Sequence, residues 1–140
     1  MYYSSGTLTL RREEMEIEFS PNIPIYIQVM EYIKKEIVTG RLAPGDKIPA
    51  VRELASELQV NPNTIQRTFQ ELEREGIAVT RRGTGRFVTS EGEKIIELRK
   101  EMATELLDNF INGMDNLGFT KEEILPILHS ALEQKRKGNE

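Results

Sequence analysis

The order in which hydrophobic periods change between residues 25 and 88 constrains this chain more than any other feature. Ile25, Val29, Ile33 and Ile37 recur every four residues and stop at Gly40, one face of an amphipathic helix with glycine at its C′ position. Residues 41–46 contain Pro44-Gly45, a turn pair. A second apolar face, Val51, Leu54, Ala55 and Leu58, follows Pro49. A third, Ile65, Phe69 and Leu72, opens at Asn61-Pro62, which suit the N-cap and N1 positions, and ends at Gly76. The period then drops to two. Residues 77–80 and 86–89 read as short strands around the tip Arg81-Arg82-Gly83-Thr84-Gly85. Three short helices closed by a hairpin make a mainly α fold with a small β element (α+β).

The flanks are simpler. Residues 93–117 form one long helix, with Ile95, Leu98, Met102, Leu106, Phe110 and Met114 on one face and Gly118 ending it. Thr120-Lys121-Glu122-Glu123 is a capping box that opens a last helix bearing Ile124, Ile127, Leu128, Ala131 and Leu132. Pro126 is expected to kink or delay that helix, and Lys135-Arg136-Lys137 suit its C-terminal end. Residues 1–14 show no periodicity and read either as a disordered arm or as an extension upstream of a start at Met15. Ile17 and Phe19 alternate with Glu16 and Glu18, a strand-like pattern. The expected divisions are therefore 1–14, 15–90 and 91–140.

At 140 residues the chain has no room for a Rossmann pair, a TIM barrel or a repeat array. It lacks cysteine, so disulfides and thiolate sites are excluded. His129 is the one histidine, and no metal and no cofactor are expected. No apolar run reaches the roughly 18–20 residues of a membrane span, which suggests a cytoplasmic chain without a membrane partner. The net charge of −4 divides unevenly: residues 1–19 carry −2, 20–90 carry +2 and 91–140 carry −4. A local basic face sets the field near phosphates, so the acidic average does not exclude nucleic acid.

Helix, helix, helix and basic glycine-rich hairpin is the arrangement of a winged helix-turn-helix. Its third helix enters a major groove, with N-terminal residues against base edges. Asn63, Thr64 and Arg67 are donors near that helix start. Arg81, Arg82 and Arg86 surround the tip, with Thr84 between Gly83 and Gly85. Those glycines remove side chains where the hairpin approaches the sugar–phosphate wall. Plain surface chemistry competes with each assignment. Arg52 has Glu53 and Asp46 as local ion-pair partners, and Arg67 has Glu71 at i+4.

The stretch from Pro24 to Val88 resembles the GntR family of bacterial transcription regulators, through P-I-Y-x-Q, G-x-L-x-P-G-D-K-I-P, R-E-L-A, V-N-P-N-T and G-x-G-R-F-V. The short helical tail resembles the YtrA subfamily, whose terminal helices pair two subunits. The resemblance implies DNA contact by Arg52, Asn61, Asn63, Thr64, Arg67 and the wing glycines Gly83 and Gly85. Two positions depart from the family pattern. Ala50 stands where a capping Ser is usual, and Gln59 stands in the helix-turn-helix turn where Gly is usual, at a strain of about 1 kcal/mol if left-handed.

Three classes of function compete for these residues. A sequence-specific repressor would bind double-stranded DNA at an inverted-repeat operator as a homodimer and control its own operon, by resemblance one encoding an ABC transporter. A winged-helix protein-interaction module needs no basic recognition helix, so Arg67, Arg81, Arg82 and Arg86 argue against it. An enzyme lacks a visible nucleophile–base pair, carboxylate dyad or metal set, and Gly83-Thr84-Gly85 has neither the following helix nor the Lys of a nucleotide loop. The dimer interface is expected along Leu98, Met102, Leu106, Phe110, Met114 and Leu128. About fifty residues in two helices cannot enclose a typical ligand pocket, so an unidentified small-molecule effector would sit at the dimer seam or beside the head. It would act through a hinge near residues 90–93.

Overall fold

The computed structural model describes residues 17–138, so the readings of residues 1–14 and of Met15 and Glu16 lie outside it. Seven elements follow in order: α1 (Ile25–Val38), α2 (Val51–Leu58), α3 (Pro62–Arg74), β1 (Ala78–Arg81), β2 (Gly85–Val88), α4 (Gly92–Asn116) and α5 (Lys121–Gly138). The chain divides into two compact units, one ending at Arg99 and one beginning at Lys100. No described helix is long and apolar enough to cross a membrane.

In the first unit α3 packs against α1, α2 and β1. Each helix sends its periodic face inward. Val29, Ile33 and Ile37 from α1, Leu54 and Leu58 from α2, and Ile65, Phe69 and Leu72 from α3 are essentially fully buried. Each such side chain contributes roughly 1.5–3 kcal/mol of apolar burial. β1 and β2 pair antiparallel, with Ala78 opposite Val88 and Arg81 opposite Gly85. Residues 45–48 line the outer edge of β2, through Ile48 N–H to Arg86 O and Val88 N–H to Asp46 O, both 2.8 Å.

The ends of α2 show what the two unusual residues cost. Ala50 provides no side-chain cap, and Gln59 adopts φ 57°, ψ 49°. Among the described residues Gln59 is the only non-glycine with positive φ. Gln59→Gly should raise the unfolding free energy by about 1 kcal/mol through relief of left-handed strain. Ala50→Ser should add about 1 kcal/mol by capping. The sites lie about 13.5 Å apart along the helix, so urea unfolding of the double variant should give nearly the sum. A loss of stability in Gln59→Gly would contradict the strain argument.

Glu36 is buried in α1. One carboxylate oxygen accepts from Arg41 Nη1 at 3.4 Å, while Oε1 has no hydrogen-bond partner. Burial holds this carboxyl above its ordinary range, with Arg41 partly opposing the shift. The folded chain therefore keeps a proton in a pH window where the unfolded chain has lost it. Stability should fall as pH rises from the ordinary carboxylate value through the raised one. Urea unfolding from about pH 4 to 7 should show that slope in the parent and a weaker one in Glu36→Gln. An unchanged slope would remove the assignment.

Three expectations are corrected. Residues 17–20 form no strand, and at Ser20 the Gln28 amide occupies both backbone groups that a neighbouring strand would pair. Ser20 N–H donates to Gln28 Oε1 at 2.8 Å, and Gln28 Nε2 donates to Ser20 O at 2.9 Å. Pro126 does not delay α5, which begins at Lys121 and runs through it. The capping box fixes the start, with Thr120 N–H on Glu123 Oε1 at 2.8 Å, and the Glu122 carbonyl left without a donor belongs to an exposed residue. Leu98, expected at the dimer interface, is buried at 5% exposure inside the first unit. That unit extends beyond residue 90 and includes the opening turns of α4. The junction is tied down as well: Thr89 is buried and its N–H donates to Ile77 O at 2.8 Å.

The second unit holds the rest of α4 and α5, joined by a turn in which Gly118 has φ 91° and Phe119 N–H donates to Met114 O. None of its described residues is buried. Leu106, Leu107, Leu117, Leu125 and Leu132 are each more than half exposed. Met102, Phe110, Met114 and Leu128 are half-buried.

Candidate nucleic-acid interface

Helix α3 turns Ile65, Thr68, Phe69 and Leu72 inward. Asn63, Arg67, Gln70 and Arg74, spaced four, three and four residues apart, are left exposed on the opposite face. The helix start is held as the sequence leads one to expect. Asn61 Oδ1 accepts from Asn63 N–H at 2.8 Å, and Pro62 occupies the first helical position. Thr64 is half-buried beside it. This end presents the positive end of the helix dipole.

The local ion pairs that competed with DNA contact do not form. Arg52 is exposed on the first turn of α2, without an ion pair to a described residue. Asp46 instead accepts from Ala43 N–H at 2.8 Å, and Glu71 pairs with Arg74 at 3.3 Å. Arg67 lies against Tyr26.

The hairpin carries Arg82, Gly83 and Thr84 at its exposed tip. Thr84 N–H closes the turn on Arg81 O at 2.9 Å. Gly83 has φ 76° and open space around it, so a surface can approach its backbone directly. Arg81 lies over the Phe87 ring, 4.7 Å from its centroid. Between this tip and the start of α2 is an open cleft of about 560 Å³, lined by Lys47, Arg81, Arg82 and Arg86 and by no carboxylate among the described residues.

Arg86 does not sit at the tip as expected. It is paired with Thr80 across the strands, and its Nε donates to Glu73 Oε1 of α3 at 3.1 Å. Its guanidinium lies over Phe69, and the Thr80 hydroxyl donates to the other Glu73 oxygen. Glu73 thus fastens the hairpin to α3, with the Arg86 side chain only 21% exposed. Sequence reasoning missed Lys47. Its side chain lies over Gly85, where an added Cβ would meet Lys47 Cε at 2.9 Å. The basic residue within Gly45-Asp46-Lys47, next to a turn, was the available signal.

No described cluster of His, Asp or Glu has the arrangement of a metal site. A helix with an exposed polar face, an adjoining carboxylate-free basic cleft and a glycine-tipped hairpin together define a winged-helix DNA-binding protein. The chain belongs to the GntR family of bacterial regulatory proteins, whose model matches residues 25–88.

Relatives extend past that domain. The chain is 47% identical over 111 residues to the HTH-type transcriptional regulator YhcF of Bacillus subtilis, covering 79% of this chain and 92% of that one. It is 35% identical to the HTH-type transcriptional repressor YtrA of the same organism, covering 79% and 85%. A GntR family transcriptional regulator from Listeria monocytogenes superposes with a TM-score of 0.75 at 46% identity, covering 80% and 98%. These relatives are transcription regulators.

Proposed function

We propose that this regulator is a repressor that binds an inverted-repeat operator as a homodimer and acts by occupancy on its own operon. The observation that carries the reading is a pairing of two surfaces. The first unit presents Asn63, Arg67 and a cleft lined by Lys47, Arg81 and Arg82 with no carboxylate in its described lining, and the second has apolar helix faces that stay exposed among the described residues. Uncovered apolar faces mark interfaces, and two-fold pairing is the commonest way to cover them. A second copy brings a second reading head, hence an inverted repeat.

Base contacts are assigned to Arg52, Asn63, Thr64 and Arg67. Backbone contacts are assigned to Asn61, Arg81, Arg82, Gly83, Thr84 and Gly85, with Arg86 holding the wing in place. The repressor role is supported by the name of the 35% identical YtrA, most of whose length this chain matches. By the same resemblance the operon encodes an ABC transporter, and the protein acts in the cytoplasm beside the chromosome. No effector is required for binding. Purified, ligand-free protein should shift a duplex carrying the promoter of its own gene in a gel assay. A shift seen only after a metabolite is added would overturn the occupancy reading.

A further inference from the structure

The flank of α3 away from the hairpin holds an aromatic contact that the interface has not used. The Arg67 guanidinium carbon lies 3.9 Å from the centroid of the Tyr26 ring, and its Nη2 donates to the Tyr26 hydroxyl at 3.2 Å. Tyr26 stands in the first turn of α1, forty-one residues away in sequence. Its backbone is fixed as well. The hydroxyl of Thr68, fully buried, reaches both Tyr26 O at 3.3 Å and Thr64 O at 3.0 Å. The start of α1 is thereby pinned to α3 one residue from Arg67.

Free arginine side chains lose much rotamer freedom when they dock, and that loss subtracts from affinity. Here the planar fork is already held on one face and at one nitrogen, while Nε and Nη1 have no partner among the described residues. Nη2 carries a second N–H, which with the adjacent Nη1 or Nε donor forms the parallel pair that matches the O6 and N7 acceptors of guanine in the major groove.

We propose that Tyr26 is a positioning residue for sequence specificity, which holds Arg67 oriented to read one base pair. This rests on the reading of α3 as the DNA-facing helix. It assigns to α1 a part in base choice without base contact of its own.

The test begins by selecting a preferred duplex with the parent protein from a random-sequence library. Binding is then measured to that duplex and to each single-base-pair variant for the parent, Tyr26→Phe, Tyr26→Leu, Arg67→Ala and Tyr26→Leu/Arg67→Ala. Tyr26→Leu should weaken binding to the preferred duplex about tenfold, the scale of a charge-assisted hydrogen bond with a ring contact. It should lose discrimination at the same base pair that Arg67→Ala loses, and add little in the Arg67→Ala background. Tyr26→Phe keeps the ring and the fold and should fall between, with an unchanged thermal midpoint.

Equal weakening for every duplex would overturn the proposal. Lost preference at a different base pair, or full additivity with Arg67→Ala, would do so too. A parent that selects no sequence at all would sink the interface reading and this inference with it. Retained preference in Tyr26→Leu would sink this inference alone.

Discussion

Leu106→Glu is expected to convert the protein to a monomer in solution and to weaken operator binding at the same time. Leu106 is 72% exposed on α4, in a unit where no described residue is buried. In a dimer its side chain would gain roughly 1.5–3 kcal/mol from burial in each copy. A carboxylate at that position would have to be desolvated against an apolar partner, at a cost of several kcal/mol per copy. Folding of the first unit should survive, since its core of Phe69, Ile33 and Leu54 lies elsewhere. Light scattering should report one subunit where the parent reports two. Each head alone then keeps its contacts but loses the advantage of a linked second head, which is worth a factor of about 10² or more. A parent that is a stable monomer at micromolar concentration would remove the dimer claim. So would a variant that stays dimeric with full affinity.

The second large effect separates arginines by what they touch. Arg52→Ala and Arg67→Ala should each cost about 1–3 kcal/mol on the preferred operator and relax specificity at one position. Arg81→Ala should weaken all duplexes alike and reduce the slope of log affinity against log salt by about one unit. The difference follows from placement. Arg52 and Arg67 stand on helix α2 and on the exposed face of α3, whereas Arg81 lies over Phe87 in the hairpin. Binding equal to that of the parent in both Arg52→Ala and Arg67→Ala would show the assignment to be wrong.

Much of this architecture can be read from residue order because its signals are local. Asn61-Pro62 opens a helix through one side-chain cap and one fixed φ, and both are present. Thr120 and Glu123 cap α5 within four residues. The left-handed Gln59 follows from its place in a turn that glycine ordinarily fills. Each hairpin strand lies one residue nearer the tip than the sequence suggests, because periodicity fixes which face a residue takes but not where pairing ends.

Contacts between elements are what the sequence conceals. Nothing local places Arg86 on Glu73 thirteen residues earlier, or Arg67 on Tyr26 rather than Glu71. Lys34 likewise pairs with Glu75, an ion pair between α1 and the end of α3 that spacing does not reveal. Leu98 shares its helical stripe with Leu106, yet one is buried in the winged unit and the other is open. A single periodic face meets two different surroundings. Gln28 holds the Ser20 backbone by donating and accepting with its own amide, a role no alternation pattern predicts.

Footprinting on the promoter duplex of its own gene, with ligand-free protein, tests the central claim most directly. A dimer of winged heads should protect two half-sites related by two-fold symmetry, with centres about one helical turn (roughly 34 Å) apart or a multiple of it. The same footprint should shrink or vanish with Leu106→Glu. A single asymmetric protected segment, unchanged by that substitution, would contradict the account.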